Sequence, residues 1–313
     1  LNLGYVPAPY ALLERTWHLE PGTWFQINRD GDSIRGRFFE FPKVTDIPLR
    51  GEEAIDAVDD AISGAVKRHL VSDVAVGCFL SGGIDSPLLS AKIRAVHGSI
   101  PTFTIGTCGD EYDESSAAET YARELGHPIH ITQITGASAA DLVEDVASAC
   151  TEPCADYSMF PTLLVSRVAS EHVKVVLSGD GGDELFWGYA DRFCAALGRL
   201  SEFRKPVWVR RARRLMRKLR NPSRADTAPW RRDLGEWYRH KHSRLRFPWT
   251  RNLFPDLPDW PDDFAAFQCS ETTTRTAAQW LRWNEYTVHL PLVLQKVDRA
   301  SMHCGLEVRG PLL

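Results

Sequence analysis

Short apolar runs alternate with segments of helical periodicity between residues 74 and 179, and this alternation limits the possible folds more than any other feature. The run from Val74 to Leu80, "VAVGCFL", is β-branched and apolar, and helical spacing begins at Pro87. The predicted strands are 74–80, 102–106, 128–134 and 173–179, and the later helices cover about 113–125, 137–149 and 162–172. Strands that alternate with helices form parallel sheets. We therefore predict an α/β fold with a doubly wound parallel sheet.

The segments on either side have other patterns. Residues 1–50 are rich in Pro, Gly and aromatic residues, and the turn Asp30-Gly31 between short alternating runs predicts a β-hairpin. Apolar residues between 52 and 70 recur at helical spacing, and residues 190–313 are predicted to be mainly helical. We expect residues 1–50 to be a linking segment and residues 51–313 to form one domain.

Composition argues against several classes of protein. The 313 residues are 43% hydrophobic and 25% charged, as in globular proteins, and the net charge of −4 favours neither nucleic acid nor membranes. No apolar run approaches the roughly 20 residues that span a bilayer, and the first residues lack the pattern of a secretory signal. The seven cysteines form no CxxC motif. We therefore expect reduced thiols, a cytoplasmic location and no membrane partner.

The loop "SGGIDS", residues 81–86, follows the first predicted strand of the sheet. Ligands of parallel sheets bind beyond the carboxyl ends of strands, and Gly82 and Gly83 allow the backbone to approach a ligand closely. The N-terminus of the next helix suits a phosphate, and Ser86 is expected to cap it. Asp85 would repel phosphate unless Mg²⁺ bridges the two. A tight strand–helix turn without a ligand is the alternative.

A second acidic, glycine-rich turn, "SGDGGDE", begins at Ser178 after another predicted strand. Two such turns after parallel strands can face one crevice, where Asp85 and Asp183 would share one Mg²⁺. An ordinary glycine-rich loop with solvated acids is the alternative. Neither turn is the GxxxxGK[ST] phosphate loop, because no lysine follows the glycines.

These motifs resemble those of a known family. "SGGIDS" is similar to the loop of N-type ATP pyrophosphatases, which cleave ATP between the α and β phosphates to form an adenylate. The segments "LSGGIDS", "FTIG…EYDES", "EPCADYSMFP", "LSGDGGDELFWGY" and "LQKVDRASMHCGLEVRGPLL" occur in the order found in the synthetase domain of asparagine synthetase-like proteins. "LGYVPAP" and "LEPGTWF" resemble the link to an N-terminal glutaminase domain.

The resemblance implies roles for residues of both turns. The residues implied to bind pyrophosphate are Ser81, Gly82, Gly83, Asp85 and Ser86. The residues implied to line the adenosine pocket are Leu80, Ile105, Ser178 and Gly179. Asp85 and Asp183 are implied to hold Mg²⁺. Asp180 is expected to assist the attacking nucleophile or remove its proton, with a solvated loop acid as the alternative.

The roles of other charged residues in these motifs can be interpreted in two ways. Supporting or substrate-side roles are implied for Glu152, Asp156, Glu184, Lys296, Asp298 and Arg299, and ion pairs for Glu307 and Arg309. Glu152 and Asp156 could contact the substrate or only order a loop. The charged residues near the C-terminus could support the nucleotide site or form structural salt bridges alone. Asp113 is expected to cap a helix.

Some features depart from the family pattern. The family's catalytic lysine lies beyond the segment where this sequence stops, Gly310–Leu313, and no cysteine occupies the position of the glutaminase nucleophile. We expect a fragment, truncated at its C-terminus, that is impaired alone, because that lysine neutralises developing charge. Trp187 and Pro87 stand where smaller or more polar residues are expected, which suggests altered specificity.

The stretch 203–224 is densely basic, with Trp208, Leu215, Met216 and Leu219 interleaved. Such a helix could bind an acidic peptide, a membrane surface or nucleic acid, or could be a solvated face over the core. Among the functional interpretations, a peptide or carrier partner that docks near the crevice is favoured.

We expect an ATP-dependent ligase that forms an amide through an acyl-adenylate. Aspartate, with ammonia supplied from glutamine by a glutaminase domain, would give asparagine. An internal amine would give a lactam or cyclic peptide, as in β-lactam synthetases and lasso peptide cyclases, although an acid at Asp180 disfavours the β-lactam type. A tRNA-modifying ATP pyrophosphatase and a non-catalytic scaffold are less favoured, and nucleic acid is not an expected partner. The oligomeric state stays open, with a homodimer as one option.

Overall fold

The computed structural model describes residues 2–42, 49–107, 113–220, 233–244, 253–256, 264–271 and 273–313. Two compact units result: a helical unit, Leu1–Val44 with Glu184–Leu290, and a sheet unit, Thr45–Asp183 with Pro291–Leu313. The predicted organisation into a linking segment, 1–50, and a domain, 51–313, stays a prediction.

The elements are named in chain order. The strands are β1 Thr23–Ile27, β2 Ser33–Arg37, β3 Val76–Phe79, β4 Thr102–Thr107, β5 Ile129–Ile134, β6 Val175–Leu177 and β7 Glu307–Arg309. The first helices are α1 Gly51–His69, α2 Asp85–Val96, α3 Ser115–Leu125, α4 Gly136–Asp141, α5 Val143–Ala149 and α6 Met159–Ser170. The later helices are α7 Gly182–Leu185, α8 Ala190–Phe203, α9 Val207–Arg220, α10 Leu234–His242, α11 Thr274–Asn284 and α12 Leu290–His303, and a π-helical turn covers Glu285–His289.

The sheet unit contains a five-stranded parallel sheet with the order β5-β4-β3-β6-β7. The chain adds β4 and β5 on one side of β3 and then returns with β6 on the other side. Val76 lies opposite Val175, and Cys78 lies opposite Leu177, across this junction. The reversal of strand order makes β3 and β6 the point of the sheet where a ligand crevice is expected.

Helices cover both faces of this sheet. On one face, Cys78 and Leu177 pack in a buried cluster with Leu89 and Ile93 of α2 and with Val66 of α1. On the other face, Val176 belongs to a second cluster with Phe103, Ala169 of α6 and Leu306. Alternate residues of β6 therefore enter opposite cores, because successive strand side chains point to opposite faces. The predicted α/β, doubly wound parallel sheet is confirmed.

Several predicted boundaries are wrong. β3 is shorter than 74–80, with Val74 exposed before it, and α2 begins at Asp85 rather than at residue 87. The predicted helix 137–149 is divided into α4 and α5 at Leu142. The segment Glu307–Arg309, expected at the exit from a helix, forms the edge strand β7 beside β6. Three residues are too few to show a strand period, so this strand is defined only by its partner.

The helical unit contains the β1–β2 hairpin, whose register runs from Thr23 opposite Arg37 to Ile27 opposite Ser33, with Gly31 at a φ of +88°. This agrees with the predicted turn at Asp30-Gly31. Tyr238 and Trp280 are buried and meet edge to face with ring centres 5.8 Å apart. In the part of the chain that the structure describes, no helix combines the length and apolar character needed to cross a bilayer.

Candidate functional site

The loop after β3 is closed by hydrogen bonds between its own serines. The Ser81 N–H donates to Ser86 Oγ at 2.8 Å, and the two hydroxyl oxygens lie 2.9 Å apart. The Gly83 N–H donates to Ser81 Oγ at 3.3 Å. The prediction that Ser86 caps α2 is wrong: the N-cap residue is Ile84, no side chain caps the helix, and Ser86 lies inside its first turn. Its hydroxyl instead ties the helix start to the end of β3.

A carboxylate from the start of α3 also reaches this loop. Glu114 Oε2 accepts the Gly82 N–H at 3.1 Å. A methyl group at Gly82 would lie 3.0 Å from the Cβ atoms of Glu114 and Ala117, so glycine permits this close approach. Asp113 Oδ1 accepts the Ser115 N–H at 2.9 Å, which lowers the pKa of Asp113. The expectation that Asp113 caps the helix is wrong, because the N-cap residue of α3 is Glu114, which makes no side-chain cap hydrogen bond, and Asp113 lies one residue before it. A phosphate that takes the Gly82 N–H must replace the Glu114 carboxylate.

The turn after β6 places Asp180 beside Ser178. The Ser178 N–H donates to the Arg309 carbonyl of β7 at 2.8 Å, and its hydroxyl donates to the Asp180 carboxylate. Gly181 has a φ of +95°, a conformation that glycine adopts without strain. The Gly182 N–H then donates to the Gly179 carbonyl at 3.3 Å, which closes the turn.

The two glycine-rich turns meet at Asp85. A Cβ added to Gly179 would lie 3.0 Å from the Asp85 Cβ, and one added to Gly182 would overlap the Asp85 carboxylate. Burial, and then the charges of Asp183 and Asp180, raise the pKa of Asp85. The structure thus brings Asp85, Asp180 and Asp183 to one place beyond the adjoining strands β3 and β6, as the motifs predict.

This donor set fits a divalent cation. Mg²⁺ prefers carboxylate oxygens, and it usually completes its shell with water and substrate phosphates. Asp85 and Asp183 come from different turns, and burial, followed by repulsion from the charges of Asp183 and Asp180, raises the pKa of Asp85. A bound cation would remove that repulsion.

Residues 57–313 match the model of the asparagine synthase family. The chain belongs to this family. It is 35% identical over 191 residues to glutamine-hydrolyzing asparagine synthetase 1 of Bacillus subtilis, covering 60% of this chain and 30% of that protein. It is 29% identical over 333 residues to a putative glutamine-hydrolyzing asparagine synthetase of Mycobacterium tuberculosis, covering 99% and 49% of the two. The chain therefore spans about half, or less, of the length of these relatives.

The residues expected at the adenosine pocket of this family lie near the same edge of the sheet. Leu80 follows β3 and is buried against Ala118 and Ala122 of α3, while its N–H donates to the Phe103 carbonyl at 2.9 Å. Ile105 is half-buried and lies two residues before the end of β4, rather than at its end. Their role toward adenosine stays a prediction.

Two acidic residues of the "EPCADYSMFP" motif, Glu152 and Asp156, have different surroundings. Glu152 lines a cavity of about 480 Å³ with Cys150, Cys154 and Phe160. Asp156 Oδ1 accepts the N–H and the hydroxyl of Ser158, at 3.0 and 2.6 Å, immediately before α6. This geometry favours the loop-ordering interpretation for Asp156.

The charged residues near the C-terminus separate into two groups. Asp298 of α12 lines a cavity of about 210 Å³ with Ser178 and Asp180, so it lies near the second turn. Arg309 bonds Glu307 at 2.6 Å and donates to the carbonyls of His69 and Val71, which ties β7 to the end of α1. That pair therefore has a structural role. Lys296 and Arg299 lie on α12 as well, and their implied roles stay predictions.

Trp187 and Glu184 belong to the helical unit. Trp187 has a φ of +56°, a backbone conformation that favours glycine. This conformation explains why the family pattern predicts a smaller residue at this position. Its indole N–H donates to the Ala278 carbonyl at 2.9 Å, which holds the side chain in place. The buried Glu184 accepts the Tyr189 hydroxyl at 2.6 Å, and His289 Nε2 lies 3.9 Å away.

The helical unit contains a buried ionic cluster that no sequence motif indicated. We call it the Glu285 cluster, and its members are Arg192, Tyr238, His242, Glu285 and His289. Arg192 Nη1 donates to both carboxylate oxygens of Glu285, at 2.9 and 3.1 Å, Tyr238 donates its hydroxyl, and His242 Nε2 lies 3.3 Å away. Burial raises the pKa of Glu285, but these partners outweigh it and lower the pKa to about 2. Burial lowers the pKa of His289 to about 4.

The Glu285 cluster also has the composition of a metal site. Ligand atoms of His242, Glu285 and His289 lie within 4.8 Å of one another. However, the Arg192 guanidinium already occupies both Glu285 oxygens, and its fixed positive charge opposes a cation at the same carboxylate. We therefore interpret it as a structural ion pair. The members of the cluster come from α8, α10 and the π-helical turn, so no short sequence motif indicates the cluster.

Gly182→Ala should lower the free energy of unfolding by about 1–3 kcal/mol, because the new methyl group overlaps the Asp85 carboxylate. Gly198→Ala in α8 is the matched control, since nothing lies within 4 Å of its added carbon and alanine favours the helix by about 0.5–1 kcal/mol. Urea unfolding of both variants gives the measurement. Equal stability of Gly182→Ala and the parent protein would contradict the close meeting of the two turns.

Proposed function

We propose that the protein carrying this chain forms an amide bond in an ATP-dependent reaction, with an acyl-adenylate as intermediate, aspartate as the carboxylate and ammonia as the nitrogen donor. The observation that carries this proposal is the convergence of Asp85, Asp180 and Asp183 from two glycine-rich turns. Membership of the asparagine synthase family supports the same reaction class.

The loop after β3 is proposed to bind the β and γ phosphates of ATP. Several groups of this loop can bind an anion. The hydrogen-bond donors are the N–H groups of Gly82 and Gly83 and the hydroxyls of Ser81 and Ser86, and the N-terminus of α2 adds the positive end of the helix dipole. Glu114 would release the Gly82 N–H when phosphate binds. Asp85 and Asp183 would hold Mg²⁺, which when bound neutralises the phosphate charge and stabilises the leaving pyrophosphate.

Two displacements follow from this arrangement. An oxygen of the substrate carboxylate attacks the α-phosphorus, the bond to the bridging oxygen of the β-phosphate breaks, and pyrophosphate leaves. The ammonia nitrogen then attacks the acyl carbon, the bond to the AMP oxygen breaks, and the nitrogen loses a proton. Asp180 is the proposed proton acceptor, and its hydrogen bond from Ser178 holds the carboxylate in one orientation.

The source of ammonia belongs to the complete protein. The bacterial relatives are named glutamine-hydrolyzing asparagine synthetases, and we propose that glutamine supplies the ammonia here too. The same adenylation chemistry could serve an internal amine, so a cyclic peptide or lactam is the alternative product. The expected cytoplasmic location is part of the same proposal.

The test measures pyrophosphate release by the complete protein with MgATP, ammonium and either aspartate or glutamate. We expect release that requires aspartate and a product with the mass of asparagine, while glutamate, one methylene longer, gives less than a tenth of the rate. Release that needs neither aspartate nor ammonium would contradict the assigned substrates. No pyrophosphate with any carboxylate or amine-bearing peptide would contradict the reaction class.

A further inference from the structure

Helix α9 has an unusual distribution of side chains. On a helical projection, Trp208, Ala212, Leu215 and Met216 fall in one stripe about 100° wide. Amphipathic helices of globular proteins usually turn such a stripe toward the core. Here Trp208, Leu215 and Met216 are 72%, 60% and 57% exposed. The apolar stripe of α9 is therefore exposed, as are Arg211 and Arg213 on its other faces.

The same helix is strongly cationic. Among its 14 residues are seven arginines and lysines and no aspartate or glutamate. The described basic side chains Arg210, Arg211 and Arg213 fall outside the apolar stripe on the projection, so the two characters are segregated. This charge stands out in a chain whose net charge is −4.

Two contacts connect basic side chains of α9 to the C-terminal end of α8. Arg213 Nη1 lies 3.3 Å from Glu202 Oε1, and the Arg210 guanidinium lies 5.6 Å from the Phe203 ring centre. Glu202 also bonds Lys205 at 2.6 Å, at the connection between the two helices. These contacts involve the polar side of α9, and none of the exposed apolar side chains Trp208, Leu215 and Met216 takes part in them.

We propose that α9 binds the surface of a lipid bilayer rich in anionic headgroups. An interfacial helix inserts an apolar stripe containing Trp and Leu between headgroups, and its basic residues contact lipid phosphates. Both features are present on α9, and they are independent of each other. This inference concerns a surface of the helical unit and does not depend on the proposed amide-forming reaction. It revises the expectation of no membrane partner, since peripheral binding needs no spanning helix.

A nucleic acid or an acidic polypeptide would also attract this charge. Phosphate contacts to RNA account for the arginines but leave Leu215 and Met216 exposed in the complex. A bilayer accommodates the basic residues and the apolar stripe together. Charge and apolar exposure combined therefore favour the lipid surface over a nucleic acid, and the polyglutamate probe in the experiment below tests the acidic polypeptide.

The experiment is co-sedimentation of the protein with vesicles of phosphatidylcholine alone or with phosphatidylglycerol at equal parts. We expect binding to the anionic vesicles at least about ten-fold tighter than to neutral ones, and weaker in high salt. Leu215→Asn with Met216→Asn should weaken binding by about ten-fold or more, because the inserted apolar area is lost. Arg211→Gln should weaken binding to the anionic vesicles only, by several-fold.

The matched control is Ile55→Asn with Val58→Asn on α1. These side chains are also exposed and three residues apart, but they lie among Glu52, Glu53, Asp56 and Asp59. Their replacement should leave vesicle binding unchanged. Equal binding to neutral vesicles, or equal losses in the α1 and α9 variants, would overturn the proposal. So would the absence of binding to the anionic vesicles, whether or not the protein binds a polyuridylate or polyglutamate probe.

Discussion

Asp85→Asn should reduce MgATP-dependent pyrophosphate release by the complete protein at least about a hundredfold, because an amide cannot replace a carboxylate at a charge-neutralising metal. The same change should leave the protein at least as stable to urea at pH 7. Asp85 lies beside Asp183 and Asp180, and burial and their charges raise the pKa of Asp85, so its ionised form is unfavourable in the folded protein. Loss of activity without loss of stability would separate a metal ligand from a structural residue.

Two further variants sharpen this test. Asp73→Asn makes the same chemical change at an exposed residue of the sheet unit, and it should keep full activity. Asp85→Asn combined with Asp183→Asn should lose little more activity than either single variant, since two ligands of one ion act as a unit. Normal pyrophosphate release by Asp85→Asn, or losses that multiply in the double variant, would contradict a shared metal.

Glu285→Gln should lower the free energy of unfolding by about 3 kcal/mol or more, because it leaves Arg192 without its carboxylate partner in the interior. The side chain of Glu285 has no exposed surface, Tyr238 donates its hydroxyl to the same carboxylate, and His242 Nε2 lies 3.3 Å from it. Urea unfolding at pH 7 measures the effect. Glu119→Gln on α3 is the control at an exposed site, where a change below about 0.5 kcal/mol is expected.

The effect of Glu285→Gln should also depend on pH. The pKa of Glu285 is lowered from 4.5 to about 2 in the folded protein, so its stabilisation is complete above pH 4.5 and is lost as the pH falls toward 2. The stability difference between the parent protein and the variant should therefore shrink between pH 6 and pH 3. A constant difference over this range would show that Glu285 acts through packing rather than through its charge.

The local features of the fold could be predicted from short stretches of sequence. The loop 81–86 has an apolar strand before it and a helix after it, and two glycines with an aspartate at this junction indicate a ligand-binding turn. The hairpin at Asp30-Gly31 is a similar local signal. Local errors occurred where one group had two available partners. Ser86 could cap α2 or accept the Ser81 N–H, and the path of the loop selects the second.

The arrangement of distant segments could not be predicted in this way. No local pattern states that β6 pairs with β3 rather than with β5, nor that Glu307–Arg309 adds a strand to β6. The Glu285 cluster is a further example, because Arg192 and Glu285 are 93 residues apart. Likewise, the basic and apolar pattern of α9 suggested a binding helix, but its exposure was needed to show which face is free of the core.

Each glycine-rich turn can therefore be predicted from a few consecutive residues, namely its glycines, its acidic residues and the strand before it. This is possible because backbone freedom and side-chain charge are local properties. The meeting of Asp85 with Asp183 was decided by the strand order, which depends on the packing of two hydrophobic cores across the whole sheet. Long-range packing brings together residues that are far apart in the sequence. Without it, the two glycine-rich turns would not form one candidate site.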